Sequence, residues 1–107
     1  MRQRRESFRI PIRRSGRIKR DAEAILCEVV NLSQKGVGLR TAGSFVPNEL
    51  LHLKFALSDD QQLACTVKVI YTQPPFLGAV VTNLSPYHQL MLSEFIDQVN
   101  LLNMASV

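Results

Sequence analysis

The sequence predicts an all-β-dominated domain, an antiparallel barrel or sandwich closed by one C-terminal helix. Three observations carry this. About six short segments, alternating or apolar throughout, follow one another at close spacing between turn clusters. After Ser85-Pro86 the apolar period changes from two residues to the helical spacing. No strand–helix–strand alternation occurs, which argues against a Rossmann-type parallel sheet. With 107 residues, 46% of them hydrophobic and 21% charged, the chain is expected to fold as one domain around a modest core. At that size no disulfide or metal is required.

From Ile10 to Arg20, Ile10, Ile12 and Ile18 alternate loosely with arginines, as in an extended, edge-like segment with one buried side. Pro11 excludes a central strand position there, because proline has no N–H for the ladder. Glu23 to Val30 is short and nearly all apolar, with Ile25, Cys27 and Val29 on one face and part of the strand expected to be buried on both sides. Asn31 to Gly36 is a turn cluster, with Gly tolerating positive φ, and Val37 to Thr41 resumes as the second arm of a hairpin. Gly43, Ser44, Pro47 and Asn48 mark a loop. Leu51, Leu53, Phe55 and Leu57 have the period of a half-buried strand. Leu63, Cys65, Val67, Val69 and Tyr71 share one face of the clearest strand. Gln73-Pro74-Pro75 breaks it, and Phe76 to Val81 is one more short strand. Ser85 and Pro86 are a hydroxyl N-cap and a proline at the first helical position. Leu92, Phe95, Ile96, Val99 and Leu102 then form an apolar stripe directed at the sheet.

Charge is distributed unevenly. The first twenty residues hold nine basic residues and one acid, Glu6, for a net of +8. The remainder holds four basic and eight acidic residues, a net of −4. A basic arm on a mildly acidic body implies an anionic partner. Cys27 and Cys65 are far apart, each inside an apolar run, and read as buried thiols rather than a disulfide or metal pair. No His/Cys cluster has metal-ligand spacing, so no metal is expected. No apolar h-region follows the leading arginines, and no run is long enough to span a bilayer, so no membrane insertion and a cytoplasmic location are expected. No nucleophile–base pair and no Gly-rich phosphate loop before a helix is present, so the expectation is that the chain is not an enzyme.

Two motifs stand out. One is Arg5-x-x-x-Arg9, preceded by Arg4; the other is Asn31-x-Ser33-x-x-Gly36, 22 residues after Arg9. Each is weak alone: arginine pairs at that spacing recur within the arm, and Asn-Leu-Ser-x-x-Gly suits many turns. Together, in this order and followed by Gly78 in a late strand and a closing helix, they resemble the PilZ domain. The resemblance covers about Arg4 to Val99. It departs from the family pattern at Asn31, where many members carry Asp, and at Val81, where many carry Phe.

The resemblance implies a six-stranded antiparallel β-barrel with a C-terminal α-helix, residues 10–103, preceded by a flexible basic arm, residues 1–9. It also implies binding of cyclic di-GMP, with no cofactor, by Arg4, Arg5, Arg9, Asn31, Ser33 and Gly36. The side chains suit that ligand. A guanidinium bonds guanine O6 and N7 bidentately, pairs with phosphate, and stacks on a purine face. Asn31 offers an acceptor and a donor to a guanine edge, about 1 kcal/mol weaker than a charged Asp. Ser33 supplies a hydroxyl, Gly36 allows close backbone approach, and Arg4 suits capture of a stacked pair of ligand molecules. The expected module orders its arm around the ligand and signals to a protein partner in motility, pilus or exopolysaccharide machinery. The competing readings are a ligand-free PilZ-like adaptor and nonspecific nucleic-acid binding through the arm. No specific nucleic acid is expected.

Overall fold

The computed structural model describes residues 9–105. Arg4 and Arg5 lie outside the described residues. Six strands, β1 (Ile10–Arg20), β2 (Glu23–Leu32), β3 (Gly36–Thr41), β4 (Leu50–Ser58), β5 (Gln61–Gln73) and β6 (Phe76–Asn83), precede one helix, α1 (Pro86–Ala105). The strands close in the order β1-β2-β3-β6-β5-β4, with every neighbouring pair antiparallel. The expected barrel with a terminal helix is what the chain forms.

Closure corrects the reading of β1 as an edge. Gly16 to Lys19 pair with β4, from Phe55 to His52. Pro11 is still accommodated, because it pairs with β2, opposite Asn31, in the half of β1 that has no β4 partner. Gly16 is needed in the paired half. A Cβ there would sit 3.0 Å from Phe55 Cβ and 3.1 Å from Cys27 Sγ.

The core comes from one face of every strand. Ile18, Val29, Leu39, Leu53, Phe55, Leu57, Leu63, Val67 and Val69 are all essentially inaccessible. Strand β2 is not buried on both sides as its apolar run suggested: Leu26 is 73% exposed and points outward opposite Arg17. Cys65 is buried, but Cys27 is only partly so. Met91, Leu92 and Ile96 seat α1 on the core, with Phe95 and Val99 packed beside them. Leu102 is 71% exposed, so the apolar stripe ends before it.

Two irregularities in register decide where the interesting side chains point. Between Val29 and Asn31 the β2–β3 register shifts, and between Val69 and Tyr71 the β5–β6 register shifts. A bulge reverses the alternation beyond it. Strict alternation would bury Asn31 with Val29 and Tyr71 with Val69. Instead Leu32 is buried while Asn31 faces outward, and Tyr71 is half exposed. The placement of Tyr71 on the inner face is thereby corrected.

Candidate ligand site

The turn between β2 and β3 is built around Ser33. Its amide donates to Gly36 O at 2.9 Å, and its Oγ accepts from Gly36 N at 3.0 Å and from Lys35 N at 3.3 Å. Ser33 is 1% exposed. Its hydroxyl closes the turn rather than facing solvent. A serine suits this because one short oxygen reaches the backbone two and three residues on.

Gly36 pairs with Val80 at the start of β3. It does not hold the left-handed conformation anticipated for the turn, since no described glycine has positive φ. Its role is one of space: a Cβ there would crowd Ala79 O and Arg9 Nη2, each at 3.3 Å, and touch Ser33 Oγ at 3.7 Å. The guanidinium of Arg9 lies directly over this bare backbone. Arg9 Nη1 donates to Asn31 Oδ1 at 2.5 Å. Residues 22 apart in the chain, from the arm and from the turn, therefore meet, as the motif spacing required.

Three further residues extend the site: Gly78, which the motif reading noted, and Gly38 and Tyr71, which it did not single out. Asn31 lies opposite Gly38, and its amide fills the place where a Gly38 side chain would be, with Cγ 2.8 Å from the position of a Cβ. Gly38 lies opposite Gly78, which lies opposite Tyr71. The Tyr71 ring lies over Gly78, with Cζ 2.7 Å from the position of a Cβ there. The result is a shallow outer strip running from Arg9 and Asn31 over two bare glycines to an exposed ring. Three inter-strand steps make it about 14 Å long. The glycines were visible in the sequence, but their alignment across the barrel depends on the register.

The other arginines near the arm divide by what they touch. Arg13 pairs with Glu28 at 3.1 Å. Arg20 pairs with Glu49 at 3.1 Å and Glu23 at 3.3 Å, and stacks over Phe45. Its guanidinium is held further toward the charged form, chiefly by the Glu49 hydrogen bond. Arg14 donates from Nε to Leu57 O at 3.0 Å and sits 5.6 Å from the centroid of Phe95 on α1. These three carry structure as well as charge.

A sequence-family model, PilZ domain, matches residues 3–98. The chain belongs to the PilZ domain family. Among curated proteins, none matches. Solved PilZ structures share the fold at low identity. The chain superposes on the Bacillus subtilis inhibitor of motility (MotI/DgrA) with TM-score 0.79 and 20% identity, over 92% of this chain and 52% of that one. It superposes on Escherichia coli YcgR in complex with c-di-GMP with TM-score 0.83 and 17% identity, over 97% of this chain and 49% of that one. The isolated PilZ domain of YcgR with c-di-GMP gives TM-score 0.77 and 16% identity, covering 97% of both chains. The chain thus spans about half the length of MotI/DgrA and of whole YcgR, and nearly all of the isolated PilZ domain.

Among the described residues, no group of three or more His, Cys, Asp or Glu is arranged to hold a metal ion. No helix among them is long and apolar enough to cross a membrane.

Proposed function

We propose that the chain is a cyclic di-GMP receptor module, with the ligand bound across the outer strip of β2, β3, β6 and β5. The observation that carries this is the contact of Arg9 with Asn31 over Gly36. It puts a guanidinium and an amide side by side at one end of a surface whose other end is an aromatic ring. Such a surface suits a ligand with phosphates and purines. Arg9 pairs with phosphate or guanine, Asn31 bonds a guanine edge, and Tyr71 offers a stacking face. Membership of the family supports the same ligand, as do the cyclic di-GMP complexes among its structural neighbours.

The proposed roles are these. Arg9 and Asn31 contact the ligand. Ser33 shapes the turn that presents them, and Gly36 and Gly38 keep the surface low. Arg4 and Arg5 join from the arm, residues 1–9, which folds over the strip on binding, and the barrel with its helix, residues 10–103, serves as the platform. The ordered arm changes the surface that a downstream protein meets, and the module works by binding rather than by catalysis.

Calorimetric titration with cyclic di-GMP tests the reading. The wild type is expected to bind saturably. Arg9→Ala and Asn31→Ala are expected to lose at least tenfold in affinity, the scale of one charge-assisted hydrogen bond. Amide exchange tests the arm, whose protection is expected to rise with ligand. A silent wild-type titration refutes the receptor; unchanged exchange in residues 1–9 refutes the folding of the arm alone.

A further inference from the structure

A second basic surface lies away from the strip, on the outer faces of β1, β4 and β5. On it Arg17 lies directly opposite Lys54, and Lys19 directly opposite His52. Like charges facing one another across a ladder weaken a sheet. None of the three ion pairs among the described residues involves Arg17, Lys19 or Lys54. The neighbours on β2 and β5 are small: Lys19 faces Ala24, Lys54 faces Ala64, and His52 faces Thr66. The long cationic side chains therefore stand as walls around a cavity of about 640 Å³. Asn83 and Ser85 also line it, where α1 begins. Ser85 Oγ accepts from His88 N at 3.2 Å, and the first turn of α1 contains no acid. The positive end of the helix adds to the field of Arg17, Lys19 and Lys54.

We propose that this cavity is a second, anion-binding site that takes a compact phosphate-bearing ligand, either soluble or as a lipid headgroup. The cavity has the size of a small-molecule site. Its lining includes no carboxylate and no Phe, Tyr or Trp, so it repels cations and lacks the row of large rings on which successive bases of a single strand stack. A doubly charged phosphate neutralises facing cations that the fold leaves opposed. Arg17 fits its oxygens bidentately, and Lys19 and Lys54 act as point charges. β4 lies directly across the barrel from β3, so this site is separate from the Arg9–Asn31 strip.

The test is an amide NMR titration of the full chain with inorganic pyrophosphate at near-physiological salt. Saturable shifts are expected at Lys19, His52, Lys54, Thr66 and Ser85. The double variant Arg17→Gln, Lys54→Gln is expected to weaken binding at least tenfold, with the rest of its spectrum unchanged. Arg9→Ala is expected to bind as the wild type does, which keeps this site distinct from the receptor reading. Shifts that never saturate, that centre on Arg9, Asn31 and Gly36, or that persist in the double variant overturn the proposal. Co-sedimentation with phosphatidylglycerol but not phosphatidylcholine vesicles, lost in the double variant, assigns the headgroup. Saturation by pyrophosphate without such sedimentation assigns a soluble phosphate. Binding of polyglutamate without binding of pyrophosphate overturns it in favour of an acidic protein partner.

Discussion

Gly38→Ala separates the strip from the stability of the barrel. The added methyl would stand 2.8 Å from Asn31 Cγ and 2.6 Å from Asn31 Oδ1. Ordinary carbon contacts begin near 3.5 Å, so the amide has to move by roughly 0.7 Å or more. Asn31 is partly exposed and its side chain can swing outward, so the fold is expected to survive. Gly38 has no positive φ, and replacing glycine at a compatible position stabilises by about 0.4–1 kcal/mol through the unfolded chain. The swing breaks the 2.5 Å contact with Arg9. It also moves the amide away from any ligand lying on the strip. A hydrogen bond to a charged group contributes about 1.5–3 kcal/mol, so affinity for cyclic di-GMP is expected to fall about 10- to 100-fold. The thermal midpoint is expected to stay within a few degrees of wild type. Titration calorimetry and a thermal melt on the same sample give both numbers. Wild-type affinity in a folded Gly38→Ala protein would refute the placement of the ligand beside Asn31.

Tyr71→Ala is expected to weaken cyclic di-GMP binding by about 1–3 kcal/mol, whereas Tyr71→Phe, which keeps the ring, is expected to bind nearly as the wild type does; equal losses would argue against stacking. Arg14→Ala removes the contact with Phe95 and the bond to Leu57 O, so amide exchange in α1 is expected to quicken while the strands stay protected. Burial pushes the Cys27 thiol up to about 11 and the Cys65 thiol up to about 12 from an ordinary 9.0. At pH 8, iodoacetamide is expected to modify native Cys65 about a hundredfold or more slower than the unfolded chain, read by mass spectrometry. The unfolded chain gives up these protons first. Stability is therefore full below pH 9 and falls as pH climbs toward the folded values. The slope is up to about 1.4 kcal/mol per pH unit from Cys65, and smaller from the partly buried Cys27. A Cys65→Ala variant with the same alkaline slope would refute this.

The period of the strands and the change at Ser85-Pro86 were legible because each depends on neighbours in sequence. β4 shows this best: Leu51, Leu53, Phe55 and Leu57 alternate without interruption and are all buried. Where pairing partners in space decide, sequence neighbours carry too little information. Pro11 excludes a ladder on both sides only in its own half of β1; Gly16 onward closes the barrel. The apolar run of β2 suggested two buried faces, and Leu26 shows that one apolar residue on an outer face does not need covering. Leu102 continued the helical period past the last place where α1 meets the barrel.

The site divides in the same way. The spacing of Arg9, Asn31, Ser33 and Gly36 could be read as a motif, since the turn is local and the 22-residue gap spans one strand and its return. What each residue does could not be read so directly. Ser33 looks like a ligand hydroxyl in sequence, yet the backbone of its own turn takes that oxygen. Tyr71 looks like a core residue until the bulge after Val69 turns it outward onto Gly78. Both bulges lie at the ends of the strip, one under Asn31 and one under Tyr71. A register shift costs ladder hydrogen bonds, and two of them bracketing one surface aim an amide and a ring at the same strip. Straightening either strand would return its residue to the core side, and the strip would lose one end. Arg17 and Lys19 follow a related logic. In the sequence they belong to the same arginine-rich run as Arg9, and only the closure of β1 on β4 sets them opposite Lys54 and His52.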